Sequence, residues 1–130
     1  MIIDQLREFF HRRDDIVMAI LFGSFAMGKE NPDSDIDVAV SVVNGKLSSE
    51  QIIELVELLA ARFGRAIDIV DLAHITEPLR TQILTKGTML VCRDRSLYES
   101  MIKSMWYDQA DYIPYRDRIL RERRQAWINS

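Results

Sequence analysis

Apolar side chains recur along this chain with two periods, and the switching between them outlines the elements. Ile3, Leu6, Phe9 and Phe10 stand three and four apart within residues 2–13, the spacing of one helix face. Asp14-Asp15 breaks that pattern, and Ile16 to Phe22 follows as an unbroken apolar run, short enough to be a buried strand. Gly23-Ser24 ends the run. Phe25-Ala26-Met27 suits a short helical turn, and Gly28 to Ser34, with Asn31-Pro32-Asp33 inside it, reads as a turn-rich loop. A second strand is expected from Asp35 to about Val43, closed by the turn pair Asn44-Gly45. Ser48 and Gln51 then form a capping box ahead of Ile52, Val56, Leu59 and Phe63, which predicts a helix over residues 49–63 with Gly64 as its C-cap.

Ala66 to Leu72 predicts a third strand, Thr76-Glu77-Pro78 opens a short helix to about Lys86, and Gly87 leads into a fourth strand, Thr88 to Cys92. Tyr98, Met101, Ile102, Met105 and Trp106 return to helical spacing until Pro114 interrupts them. Two helical pieces are therefore expected, at about 96–112 and 115–128. Strands and helices alternate, so the expected class is α/β (α+β), with residues 1–95 as the core and residues 96–130 as a helical tail of the same domain. No repeat, low-complexity tract or Gly/Ser-rich linker marks a further boundary.

Composition narrows the field. A chain of 130 residues that is 48% hydrophobic fits one compact domain with one core. With 28% charged residues and only short apolar runs, it has no stretch suited to a bilayer. Asp4, Arg7 and Glu8 among the apolar residues of Met1 to Phe10 describe an amphipathic helix and not a secretory signal, so a cytoplasmic location is expected. The net charge of −3 argues against a protein whose main task is holding a nucleic-acid backbone. The charge is uneven: residues 101–130 carry a net +2 and residues 1–100 a net −5. The single cysteine, Cys92, cannot form an internal disulfide and is expected to be a small core residue of the run Met89-Leu90-Val91-Cys92.

The chemistry is concentrated between Gly23-Ser24 and Ser34-Asp35-Ile36-Asp37. Any one of these fragments is common by chance; together they sit at the end of one strand and the start of another. Strand alternation places Asp35 and Asp37 on one face, where two carboxylates side by side are unfavourable until a cation neutralises them. Mg²⁺ takes one or two carboxylates together with the oxygens of a substrate's phosphates, so the pair points to metal–nucleotide binding. Gly23 lets a backbone approach phosphates closely, and turn N–H groups with the Ser24 hydroxyl supply donors. Ser34 precedes the pair, and Lys29 is a candidate cation for the phosphates. His11 lies on the amphipathic first helix and His74 in a loop, with no Cys/His cluster of the kind zinc requires.

Gly23-Ser24-Phe25-Ala26-Met27-Gly28 through Ser34-Asp35-Ile36-Asp37 resembles the signature of the minimal nucleotidyltransferases of the DNA polymerase β-like superfamily, over roughly residues 1–95. The resemblance implies that superfamily's fold, a short mixed sheet flanked by helices. It also implies a third carboxylate on the next strand after a helix, for which Ala66-Ile67-Asp68-Ile69-Val70-Asp71-Leu72 offers Asp68, with Asp71 as runner-up in a surface-facing structural role. Asp35, Asp37 and Asp68 would then be the catalytic and metal-holding set, with Mg²⁺ as cofactor and ATP as substrate, and Gly23, Ser24, Ser34 and Lys29 would meet the nucleotide. One departure is Met27, where members of the family often carry Arg.

The resemblance extends to the antitoxin of two-gene toxin–antitoxin pairs. It implies transfer of AMP to a hydroxyl, tyrosine above all, of a partner toxin of the HEPN ribonuclease family encoded by an adjacent gene, in a hetero-oligomer. Two alternatives stand beside it: a small-molecule adenylyltransferase with an aminoglycoside-like acceptor, which usually needs an added domain, and a non-catalytic antitoxin that neutralises its partner by binding. The tail is the expected partner surface, since Trp106, Tyr107, Tyr112, Tyr115 and Trp127 mingle with Arg116, Arg118, Arg121, Arg123 and Arg124, residue types enriched at interface hot spots.

Overall fold

The structure is a computed structural model that describes residues 1–31 and 33–108. In chain order it contains α1 (Ile2–His11), β1 (Ile16–Phe22), β2 (Ile36–Val42), α2 (Ser49–Phe63), β3 (Ile67–Asp71), a single 3₁₀ turn (Leu72–His74), α3 (Leu79–Lys86) and β4 (Thr88–Cys92). Met1–Arg95 forms one compact unit, and a second begins at Ser96. Residues 96–108 of that second unit are helical, with Trp106 and Tyr107 exposed. The helical piece expected at 115–128, and with it the arginine-rich part of the tail, lies outside the described residues.

The strand order is β3-β2-β1-β4. β1 runs antiparallel to β2 and to β4, whereas β2 and β3 are parallel. A parallel pair needs a crossover, and α2 supplies it. That helix starts as its sequence requires: the Gln51 N–H donates to Ser48 Oγ at 3.1 Å and the Ser48 N–H to Gln51 Oε1 at 2.9 Å. It stops at Gly64, whose left-handed φ of 64° suits a residue without a Cβ.

The two faces of the sheet have different tasks. Ile36, Val38, Val40 and Val42, alternating along β2, join Leu6 and Phe10 of α1 and Leu55 and Leu59 of α2 in one buried cluster. Asp37, Ala39 and Ser41 therefore project from the opposite face. On that side α3 packs on β1, so closely that a Cβ on Gly87 would lie 2.4 Å from Ile20 Cγ2.

One expectation needs correction. Cys92 is exposed, not buried. β4 is an edge strand whose burial centres on Leu90 and falls away to either side, so a terminal apolar residue has no cover. The third helix opens as expected after Thr76-Glu77-Pro78, with the Arg80 N–H donating to Thr76 O at 3.1 Å, and runs Leu79–Lys86; the segment before it holds the 3₁₀ turn. That turn forms because the Asp71 side chain accepts from the Ala73 N–H, a local competition between side chain and backbone that periodicity does not register.

Candidate active site

The end of β1 and the start of β2 lie side by side, with Phe22 opposite Asp37 in the antiparallel ladder. Asp35 immediately precedes β2 and Asp37 is its second residue, so both project to the α3 side of the sheet. β3 adds Asp68, which is the direct partner of Asp37 in the parallel register. Residues paired in this way share a face. The sheet thus gathers three carboxylates from two neighbouring strands.

Gly23 abuts this group. Its φ is +74°, and a Cβ built on it would stand 2.4 Å from Asp37 Oδ2. No side chain fits there without moving the carboxylate. After Gly23 the chain makes a helical turn, in which Met27 N–H donates to Gly23 O at 3.1 Å and Lys29 N–H to Ser24 O at 2.9 Å. Such a turn leaves its leading N–H groups, those of Ser24 to Ala26, without a carbonyl partner inside it.

Electrostatics mark the same spot. Burial, then the charge of Asp68, then that of Asp35, hold the Asp37 carboxyl above the ordinary aspartate value. Among the described residues no three His, Cys, Asp or Glu side chains stand close enough to hold a metal ion by themselves. Mutually repelling carboxylates that only approach one another are what a hard cation completes, and Mg²⁺ requires just one or two of them when phosphates supply further oxygens. The donor set fits that ion.

The remaining sequence candidates separate. Asp71, with a side chain only 16% exposed, faces inward and is not the surface residue expected. Its carboxylate accepts from the Leu47 N–H at 3.1 Å and the Ala73 N–H at 3.2 Å and lies 2.9 Å from His74 Nδ1. It fastens the end of β3 to the segment before α2. Ser34 Oγ accepts from the Asn31 N–H at 2.8 Å, so the hydroxyl orders the loop that presents Asp35. Lys29 is exposed.

Sequence reasoning missed two features. Arg65 donates to Asn31 O at 2.9 Å and Ser34 O at 3.3 Å, and its guanidinium lies 5.0 Å from the Phe25 ring centroid. It ties the loop before Asp35 to the Gly-Ser turn, and it lines a small cleft with Ser34 and Asp35. Nothing in its local sequence announces this, because the partners lie more than thirty positions away. The second is a larger cleft of about 360 Å³ that includes Gly23, between the Gly-Ser turn and α3, with Met27, Leu79, Gln82 and Lys86 among its walls.

Residues 4–96 match the model of the family described as polymerase beta, nucleotidyltransferase, and this span carries all three carboxylates and the Gly-Ser turn. The chain belongs to the polymerase β nucleotidyltransferase family. Within it, the protein adenylyltransferase MntA of Shewanella oneidensis is 36% identical over 70 residues, which are 54% of this chain and 50% of that protein. The chain thus matches about half the length of this curated relative. A crystal structure of a toxin–antitoxin with AMP-PNP superposes with a TM-score of 0.66 at 25% identity, covering 90% of this chain and 96% of the other. A structure of the tri-AMPylated Shewanella oneidensis HEPN toxin in complex with MNT antitoxin gives a TM-score of 0.60 at 25% identity, covering 90% and 98%. Among the described residues, no helix is long and apolar enough to cross a membrane.

Proposed function

We propose that this chain is a Mg²⁺-dependent adenylyltransferase that moves AMP from ATP to a hydroxyl, tyrosine above all, of a HEPN-type ribonuclease toxin, and so acts in the cytoplasm as that toxin's antitoxin. The observation that carries the reading is the contact of Gly23 with Asp37, in register with Asp68. That contact supports the reading because a turn with free leading N–H groups, suited to phosphates, abuts carboxylates suited to a metal. The names of the similar proteins, an adenylyltransferase and antitoxins with a HEPN toxin, give the acceptor class.

In this reading Asp35 and Asp37 would hold Mg²⁺, with Asp68 completing the set. The bound ion supplies positive charge where negative charge develops on the phosphate oxygens. The Gly23-Ser24 turn receives the β- and γ-phosphates through its N–H groups and the Ser24 hydroxyl. The acceptor oxygen attacks the α-phosphorus in line; a new oxygen–phosphorus bond forms as the bond to the bridging oxygen breaks and pyrophosphate leaves. Asp68, exposed at the edge of the site, accepts the hydroxyl proton. Arg65 and Ser34 keep the Asp35 loop in place.

The test is incubation with labelled ATP, Mg²⁺ and the protein encoded by the adjacent gene, followed by mass spectrometry of both chains. The partner should gain the mass of AMP on a hydroxyl residue, and Asp35→Asn and Asp37→Asn should each abolish the gain while remaining folded. Partner that stays unmodified by wild-type protein, or wild-type rates from either variant, would refute the assignment.

A further inference from the structure

The cleft between the Gly-Ser turn and α3 has a chemistry that the reaction described so far leaves unused. Its walls are mainly apolar, from Phe22, Met27 and Leu79, with Gln82 at one side and Lys86 as the single charged residue in the lining. Lys86 stands in the last turn of α3, is exposed, and forms no ion pair among the described residues. Gly23 belongs both to this cleft and to the contact with Asp37. A ligand whose reacting phosphorus sits at the carboxylates therefore continues past Gly23 towards Lys86. The acidic group at Gly23 would be taken up by a metal, so phosphates that extend into this cleft need a cation of their own.

Resting on the proposed transfer reaction, we infer that Lys86 supplies the cation for the β- and γ-phosphates that the Gly23-Ser24 turn receives, reaching across this cleft from α3. Lys29, the candidate from the sequence, is exposed and absent from the lining of the cleft that Gly23 opens. Met27, on the wall that shares the cleft with Lys86, is 48% exposed and uncharged. A cation placed at position 27 would point into the same volume. The two positions are thus alternative sources of one charge. A long side chain from a helix end carries a point charge on a flexible stem, which suits a polyphosphate better than a planar acceptor.

The experiment measures dissociation constants of ATP and of AMP, both with Mg²⁺, for wild type, Lys86→Ala, Lys29→Ala and the double variant Lys86→Ala/Met27→Arg, with melting temperatures in parallel. Lys86→Ala should weaken ATP roughly tenfold or more, the worth of a charge-assisted hydrogen bond, and leave AMP within about twofold. The added Met27→Arg should recover most of the ATP affinity, and Lys29→Ala should weaken ATP less than Lys86→Ala does. A lysine that only complements the dipole at the end of α3 would shift the melting temperature and leave the ratio of ATP to AMP affinity untouched; that result overturns the inference. Equal weakening of ATP and AMP overturns it too, by moving Lys86 to the nucleoside. Failure of the wild type to bind ATP at all would instead bring down the transferase reading beneath it.

Discussion

Replacing Gly23 by Ala tests the contact on which the site is built, and the structure supplies a control for it. At φ of +74° an added Cβ brings left-handed backbone strain of about 1–2 kcal/mol. Gly45, at φ of +83°, would incur the same strain, but nothing lies within 4 Å of its Cβ position. The Gly23 Cβ, by contrast, would stand 2.4 Å from Asp37 Oδ2, and restoring an ordinary contact of at least 3.4 Å moves that oxygen by about 1 Å. The carboxylate is the far end of a side chain, so the move adds little to the folding cost. In catalysis a misplacement of about 1 Å can lower the rate about 100-fold. Both variants should therefore melt lower by a similar amount, about 4–8 °C for each kcal/mol in a domain of this size. Only Gly23→Ala should lose transfer, by about two orders of magnitude. Differential scanning calorimetry and single-turnover transfer from labelled ATP, at a temperature where both are folded, make the comparison. Equal transfer rates for the two variants would refute the argument that Gly23 is kept small for the sake of Asp37.

Two further predictions concern the carboxylates. Asp68→Asn should lose transfer with little change in melting temperature, whereas Asp71→Ala, which strips the Leu47 and Ala73 N–H groups of their acceptor, should lose about 1–3 kcal/mol of stability and still turn over below its melting point; the reverse pattern would show that the roles are exchanged. The folded-state pKa of Asp37 is held above the ordinary 3.8 by burial, Asp68 and Asp35, so its contribution to stability is full below the unfolded-state pKa and is lost as pH rises through the folded-state value. In chelator, wild-type protein should accordingly lose melting temperature relative to Asp37→Asn as pH rises from about 3.8 towards neutrality, and Mg²⁺ should narrow the gap; a difference that did not vary with pH would refute the repulsion.

What the sequence made legible was local. The capping box at Ser48 and Gln51 and the left-handed stop at Gly64 bound α2 at the predicted residues, since a cap is specified within four positions. β1 and β4 were equally plain, as apolar runs bounded by turn residues. Parity in the two strands placed Asp35 and Asp37 together and set Asp68 and Asp71 on opposite faces, because the side-chain period of a strand is two. Everything that depends on which strand lies beside which was hidden. Cys92 looked like core because its neighbours are apolar, yet burial is decided by the position of β4 at the edge. Arg65 and Lys86 look like any surface cation until the loop before Asp35 and the end of α3 are brought beside the Gly-Ser turn. The registers that pair Asp37 with Asp68 and with Phe22 belong to the assembled sheet, not to any window of sequence.

The split between the two faces of the sheet has a consequence for how this protein tolerates change. Residues of one parity along β2 meet α1 and α2; of the other parity, Asp37 lies against Gly23, while Ala39 and Ser41 are buried on the α3 side. Substitutions in the first set should register as altered melting and those at Asp37 as altered turnover, so the two traits sit on interleaved letters of the same strand. A homologue could drift far in its packing while its chemistry stood still. A laboratory effort to harden the domain has a ready map: vary Val38 and Val40 with the helix residues they touch, and leave their neighbours in sequence alone.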